Sequence, residues 1–237
     1  TCALLDNASV VCWGWNQTGY LGLGNTSSIG DGYGAPEMGD NLNAVNFGTG
    51  RTATAIAAGK YHTCAILDNA SVKCWGWNPH GQLGIDNSST IGGSACCGTM
   101  GDDPGEMGDN LPVVKLGTGR TATAIAVGKY HTCAILDNAS VKCWGENWAG
   151  QLGIVNFGSD TRIGNSNGEM AQLTGLNLGT GRTATAISAG HYHSCALLDN
   201  ASVKCWGGNS NGQLGIDNTT QMGDDQGEMA ALPSIDL

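Results

Sequence analysis

Apolar positions along the chain come in short bursts punctuated by Gly, Asn and Asp, never in long helical stripes. Residues 52–57 alternate Thr with Ala and end on Ile. Residues 63–68 and 71–75 are apolar-rich runs on either side of Asp68-Asn69-Ala70, and residues 111–116 (Leu-Pro-Val-Val-Lys-Leu) form a weaker fourth run. Short strand-like runs between turn residues predict an all-β arrangement. A 3.6-residue period is not sustained and Gly interrupts every candidate, so no helix is expected.

The pattern repeats. The block from Thr63 to Gly76, Thr-Cys-Ala-Ile-Leu-Asp-Asn-Ala-Ser-Val-Lys-Cys-Trp-Gly, recurs from Thr132 and from Ser194, with a fourth copy from Thr1 to Gly14. The first cysteines of successive copies are 62, 69 and 62 residues apart (2 to 64, 64 to 133, 133 to 195). Gly-Gln-Leu-Gly follows at 81, 150 and 212, with Gly19-Tyr20-Leu21-Gly22 in the first copy. Gly-Thr-Gly-Arg-Thr-Ala-Thr-Ala-Ile precedes the block from Gly48, Gly117 and Gly179. The units read as 1–47, 48–116, 117–178 and 179–237, each complete unit a four-stranded antiparallel sheet and the first lacking its opening strand. One such sheet cannot bury both faces. Radial stacking buries them, which is the β-propeller solution.

The run Ala-Gly-x-x-His-x-Cys-Ala-Leu/Ile-Leu-Asp-Asn-x-Ser-Val-x-Cys-Trp-Gly followed by Asn-x-x-Gly-Gln-Leu-Gly resembles the repeats of the regulator of chromosome condensation superfamily. The resemblance implies a propeller of four-stranded blades, usually seven. Only about four units are present here, beginning inside one and counting 15 expected strands, so the chain is expected to be part of a larger propeller or a processed product. The resemblance also implies two activities: guanine-nucleotide exchange on a small nuclear GTPase with nucleosome binding, and, among secreted relatives, inhibition of β-lactamases through loops on one face.

Composition narrows these. The chain has 237 residues, 39 of them Gly, and a net charge of −10 from 10 Lys/Arg and 20 Asp/Glu. The 41% hydrophobic content is too high for a disordered acidic tail. No apolar run reaches the ~18 residues a membrane helix needs, so direct membrane insertion is not expected. An acidic chain without a Lys/Arg cluster is a poor phosphate-backbone binder, which disfavours nucleic acid partners and the exchange-factor reading.

Eight of the ten cysteines form four equally spaced pairs: Cys2/Cys12, Cys64/Cys74, Cys133/Cys143 and Cys195/Cys205. A three-residue loop at 68–70 sets Cys64 opposite Cys74 and Ile66 opposite Val72. One disulfide per hairpin is therefore predicted. Buried thiols in a reduced protein are the alternative. Zinc is weaker still, because the short Cys-x-x-Cys knuckle is missing. For the adjacent Cys96 and Cys97, a vicinal bond, bonds between chains and free thiols all stay open. Asn-x-Ser/Thr acceptors stand at Asn7, Asn16, Asn25, Asn69, Asn87, Asn138, Asn200 and Asn218. They are glycan candidates if a eukaryotic secretory route made the protein, and otherwise good turn residues.

His62, His131 and His193 share one repeat position, and His191 takes the slot of Lys60 and Lys129, while His80 stands alone. A group copied with its surroundings is structural rather than catalytic, so these rings are expected to hydrogen-bond between blades. Arg51, Arg120 and Arg182 are expected to bond turn carbonyls or a carboxylate. The acidic loops offer a weak calcium site: Asp31, Glu37 and Asp40 in one, Asp102, Asp103, Glu106 and Asp109 in its counterpart. Solvated loops are the plainer alternative. No phosphate-cradling, hydrolase-elbow or zincin signature is present, so no enzyme and no other cofactor is expected. Trp15, Tyr20, Tyr33, Trp77 and Trp148 are the candidate contact residues.

The expected function is an extracellular or cell-surface structural, adhesive or protein-interaction module that binds a protein partner or self-assembles. The alternative is a secreted binding or inhibitory propeller acting through one face.

Overall fold

The computed structural model describes residues 1–33, 36–87, 98–155 and 161–235. Strands β1 (Cys2–Leu4) and β2 (Val10–Cys12) form the first sheet. The second contains β3 (Ala53–Ala58), β4 (His62–Leu67), β5 (Val72–Trp77) and β6 (Thr99–Met100). The third is β7 (Ala122–Val127), β8 (His131–Leu136), β9 (Val141–Glu146) and β10 (Arg162–Ile163), and the fourth is β11 (Ala184–Ala189), β12 (His193–Leu198) and β13 (Val203–Gly207). Within each sheet the strands follow chain order and pair antiparallel. The sheets pack in succession: β1, the counterpart of β4, on β3, and the inner strands β3 on β7 and β7 on β11. This is the all-β propeller array that the repeat predicts.

The hairpin register is as expected. Cys64 lies opposite Cys74 and Ile66 opposite Val72. The same register sets Cys2 opposite Cys12, Cys133 opposite Cys143 and Cys195 opposite Cys205. All four pairs are disulfide-bonded, Cys2–Cys12, Cys64–Cys74, Cys133–Cys143 and Cys195–Cys205, with Cα atoms 4.0–4.1 Å apart. The second cysteine of each hairpin, Cys12, Cys74, Cys143 and Cys205, is buried in the core side of its sheet. These eight sulfurs are therefore neither free thiols nor zinc ligands, the two alternatives that spacing left open. Cys96 and Cys97 lie outside the described residues.

The left-handed residue of each hairpin loop is Ala rather than Asn: Ala8, Ala70, Ala139 and Ala201 have φ of 59–64°. The preceding Asn instead closes an Asx turn. Asn69 Oδ1 accepts from Ser71 N and Oγ at 3.1 and 2.7 Å, and Asn7, Asn138 and Asn200 do the same with Ser9, Ser140 and Ser202.

The fourth strand differs from expectation. Thr99–Met100, not residues 111–116, pairs with the Trp77 end of β5. Residues 111–116 contribute one isolated bridge, Val113 to Lys73, at the other end of the same edge. A six-residue strand is thus covered by two short segments of one long loop, and the apolar run at 111–116 is buried by packing rather than by pairing. Leu111, Val114 and Leu116 belong to the core.

Two single-turn helices also form, α1 (Glu169–Gln172) and α2 (Glu228–Ala231). Their cause is local. Glu169 Oε2 accepts the backbone N–H groups of Gly164, Asn165 and Ser166 at 2.9–3.0 Å and winds the chain into a turn.

The core runs through all four sheets. Trp75, Trp144 and Trp206 are fully buried at its centre. Each donates its indole N–H to a loop carbonyl of the preceding unit: Trp75 to Tyr20 O, Trp144 to Gln82 O, Trp206 to Gln151 O, at 2.9–3.1 Å. The hydroxyls of Thr63, Thr132 and Ser194 donate to the same three carbonyls. One carbonyl therefore takes two bonds from the next sheet, which fixes neighbouring blades at a set spacing.

The histidines complete this lock. His62 Nε2 lies 2.7 Å from Thr132 Oγ1, and His131 Nε2 lies 2.9 Å from Ser194 Oγ. Because each hydroxyl spends its proton on a carbonyl, the imidazole Nε2 must donate. The rings bond a neighbouring blade's hydroxyl rather than a carbonyl directly. Burial, reinforced by the charge of His131, pushes His62 down to about 3, and burial with the charge of His193 does the same to His131. Both rings are neutral at physiological pH. Arg51, Arg120 and Arg182 each pair with a hairpin carboxylate, Asp68, Asp137 and Asp199 respectively, at 3.2–3.4 Å.

Candidate functional site: an aromatic face

The loop after each core Trp has a fixed frame and variable contents. Trp-Gly-Trp-Asn-Gln-Thr-Gly at residue 13 becomes Trp-Gly-Trp-Asn-Pro-His-Gly at 75, Trp-Gly-Glu-Asn-Trp-Ala-Gly at 144 and Trp-Gly-Gly-Asn-Ser-Asn-Gly at 206. The frame is buried: Asn16, Asn78, Asn147 and Asn209 are at most 2% exposed. Each Oδ1 accepts the N–H of the following Leu at 2.8–2.9 Å. Each Nδ2 donates to a carbonyl on the loop's return, such as Asn209 to Asn218 O at 2.9 Å. With the frame pinned from inside, the intervening positions are free to differ. They carry Trp15, Trp77, His80, Glu146 and Trp148.

These loops open at the strand ends opposite the hairpin tips. Tyr61 precedes β4, and its carbonyl accepts the N–H of Trp77 at the end of β5 at 2.9 Å. Tyr130 and Tyr192 occupy the same position in the next two sheets. The rings form one row: Tyr20 to Tyr61 6.2 Å, Tyr61 stacked on Tyr130 at 5.2 Å, Tyr130 to Tyr192 6.2 Å. Trp15 packs on Tyr20 at one end and Trp148 on Tyr192 at the other. Trp77 and His80 lean on Tyr130 from the loop side, at 5.5 and 5.0 Å. The row ends are open to solvent, with Trp15 53% and Trp148 55% exposed.

Cations line the same row. Lys129 Nζ stands 4.5 Å from the Tyr130 centroid and 4.9 Å from that of Tyr192, and donates to Tyr192 Oη at 2.6 Å. That bond holds its ammonium above the usual range. Lys60 Nζ lies 5.2 Å over Tyr61. His80 Nδ1 contacts the buried Glu146 carboxylate, which also accepts from Thr161 Oγ1 at 3.2 Å. Burial alone would raise the Glu146 carboxyl; the His80 contact outweighs it and holds the group below the usual carboxylate range.

Four of the five candidate contact residues therefore converge: Trp15, Tyr20, Trp77 and Trp148. Tyr33 is 84% exposed on the loop of Asp31 and lies outside the row. Tyr61, Tyr130, Tyr192, Lys60, Lys129 and His80 complete the face and were missed by sequence reasoning. For all but His80, the signal was the Gly-Lys/His-Tyr-His repeated before Cys64, Cys133 and Cys195.

The carboxylates of the acidic loops, the weak calcium candidates, largely accept hydrogen bonds from backbone N–H groups. Among the described residues no group of three or more His, Cys, Asp and Glu is placed to hold a metal ion. Glu106 Oε2 instead accepts three backbone N–H groups, from Gly101, Asp102 and Asp103. Asp109 accepts from the N and Oγ1 of Thr49, Glu37 from Gly30 N, and Asp31 from Tyr33 N. Asp40 lies exposed in a 3-10 turn.

Of the glycan candidates, Asn16 is corrected. It is fully buried, and its Nδ2 donates to the carbonyls of Asn25 and Ser27. Asn7, Asn69, Asn138 and Asn200 are exposed at hairpin tips, and Asn25 and Asn218 are exposed elsewhere. The acceptor triplet of Asn87 runs outside the described residues.

The fold and the face define a disulfide-stapled β-propeller array with a partly exposed aromatic row. The chain belongs to the regulator of chromosome condensation (RCC1) repeat family, whose repeat profiles match residues 8–66, 53–82, 122–151 and 184–213. It is similar to the ultraviolet-B receptor UVR8 of Arabidopsis thaliana, with 26% identity over 219 residues, 91% of this chain and 41% of that protein. A probable E3 ubiquitin-protein ligase of Homo sapiens, HERC6, is 31% identical over 160 residues, 68% of this chain and 13% of that protein. Among solved structures, Prp20p from Saccharomyces cerevisiae superposes over all of this chain and 48% of its own, with a TM-score of 0.68 at 18% identity. Human WBSCR16 gives 0.68 over all of this chain and 50% of its own, at 15% identity. This chain thus spans half or less of the length of these relatives. Prp20p is described as binding Gsp1p and histones. No helix among the described residues is long and apolar enough to cross a membrane.

Proposed function

We propose that this chain is a secreted protein-binding propeller that engages a protein partner through the aromatic face, by binding rather than catalysis. One observation carries the reading. The loops of this face keep a fixed buried frame but change their outward residues from unit to unit, next to a continuous row of half-buried rings. Aromatic anchors in a partly desolvated patch are what protein interfaces use as hot spots, and variable loops on a rigid frame are where binding specificity resides. The protein binding described for Prp20p supports the class.

Extracellular placement rests on the four disulfides, since such bonds persist in oxidising compartments and are rare in reducing ones. The exposed tip asparagines lie at the strand ends away from the face, so glycans there would leave it clear.

The test is partner capture from the native source with three forms of the chain. Wild type and Arg182→Gln, altered far from the face, are expected to retain the same specific partner, and Tyr130→Ala/Trp148→Ala to lose it. A partner retained by the aromatic variant refutes the reading.

A further inference from the structure

The aromatic face also carries the charge that selects its partner. The protein has a net charge of −10, and most of its cations are committed elsewhere. Arg51, Arg120, Arg182 and Lys115 pair with Asp carboxylates, while Lys73 and Lys142 donate to backbone carbonyls. Lys60 and Lys129 face aromatic rings instead. With His191, the same repeat position in the next unit, they surround a depression of about 290 Å³ floored by Gly59, Gly128 and Gly190 at the ends of the inner strands. His191 stacks on Tyr192 at 4.5 Å. Burial, and after it the charges of Lys129 and Lys60, lower its basicity, so the positive charge of the site is that of the two lysines beside it. The site is a small cationic well in an acidic molecule, flanked by rings 5.2–6.2 Å apart. An extended peptide presents alternate side chains about 6.6–6.8 Å apart, close to that spacing. Two lysines are too few for a phosphate-backbone tract.

Resting on the reading of this face as a protein-binding surface, we propose that it captures an extended acidic segment of its partner. An Asp or Glu carboxylate enters the well formed by Lys60, Lys129 and His191, and the flanking residues lie along Tyr61, Tyr130 and Tyr192. The lysines are held over the rings before binding, so little side-chain freedom is lost when the carboxylate arrives.

The experiment uses the full chain and three fluorescein-labelled peptides of equal length, with Glu, Gln or Lys alternating with Thr, read by fluorescence anisotropy. Alginate oligomers serve as an acidic-glycan arm. The Glu-Thr peptide is expected to bind at least about tenfold more tightly than the Gln-Thr peptide, a difference of about 1.4 kcal/mol, and more weakly as salt rises. Lys60→Gln/Lys129→Gln should lose about tenfold, Lys60→Arg/Lys129→Arg should retain binding, and Arg182→Gln should be unaffected. Circular dichroism melts confirm that each variant is folded. Equal binding of Glu-Thr and Gln-Thr peptides, or unchanged affinity in the double Gln variant, overturns the proposal, as does binding of alginate without the acidic peptide. Preference for the Gln-Thr or Lys-Thr peptide, lost in Tyr130→Ala, would overturn the acidic choice and leave the protein-binding face standing.

Discussion

Acid should loosen the blades through two specific rings. His62 and His131 are fully buried between sheets, and burial with a neighbouring imidazole pushes both down to about 3 from an ordinary 6.5. In the unfolded chain each ring takes up a proton near pH 6.5; in the folded chain it stays neutral until about pH 3. Between those values the unfolded state binds more protons, so stability is fully present above about pH 6.5 and is lost as pH falls. One pH unit on one ring is worth about 1.4 kcal/mol. Over the 2.5 units from pH 6.5 to 4, that is roughly 3 kcal/mol for each ring and about 6 for both. Against a typical total of about 5–15 kcal/mol, this is a large share. Urea denaturation at pH 7, 5.5 and 4, with the disulfides intact, should show it. The comparison is His62→Gln/His131→Gln, whose amides keep an N–H for Thr132 and Ser194 but do not titrate. Carboxylate titration affects both proteins alike, so the difference in slope isolates the rings. The double variant should start less stable at pH 7 and lose several kcal/mol less on acidification. Equal losses in the two proteins would refute the buried-neutral assignment.

Three further outcomes are expected. Ala70→Gly and Ala139→Gly should each raise stability by about 0.5–1 kcal/mol, since Gly holds the left-handed conformation without the Cβ penalty; a lower Tm would contradict the loop geometry. Gly128→Ala should destabilise by about 1–3 kcal/mol or more, because its Cβ would collide with the His131 ring and approach Gly190 O at 2.7 Å; an unchanged denaturation midpoint would contradict the packing of the inner strands. Cys133→Ser/Cys143→Ser should cost up to about 3 kcal/mol on the loop-entropy account, and peptide mapping of the unreduced protein should recover all four hairpin pairs, Cys195–Cys205 among them; scrambled pairing would contradict the register.

The architecture was legible because a period-two pattern with fixed turns was copied four times. Opposing Cys64 to Cys74 required only the length of the Asp68-Asn69-Ala70 loop, and the same loop length carried the argument to Cys143 and Cys205. The fourth strand was not legible. Residues 111–116 look like a strand because Leu111, Val114 and Leu116 are buried, yet pairing at the Trp77 end comes from Thr99–Met100. Hydrophobicity reports burial, and only backbone geometry decides which buried segment reaches an edge. The inward turn of the acidic loops was hidden for a related reason: composition shows carboxylates but not that Glu106 turns onto its own loop's N–H groups. The face was half visible. Trp15, Trp77 and Trp148 stood out as departures from the repeat, whereas Tyr61, Tyr130 and Tyr192 were hidden within it. Only radial stacking aligns one tyrosine from each sheet into a row.

The most direct test of the binding face is a hydrogen-exchange footprint of the chain with its captured partner. Protection is predicted in loops 77–82 and 146–151 and at the strand entrances 59–62, 128–131 and 190–193. Protection at the hairpin tips 68–70, 137–139 and 199–201, with the loops and strand entrances of the face exchanging as in the free protein, would contradict the account.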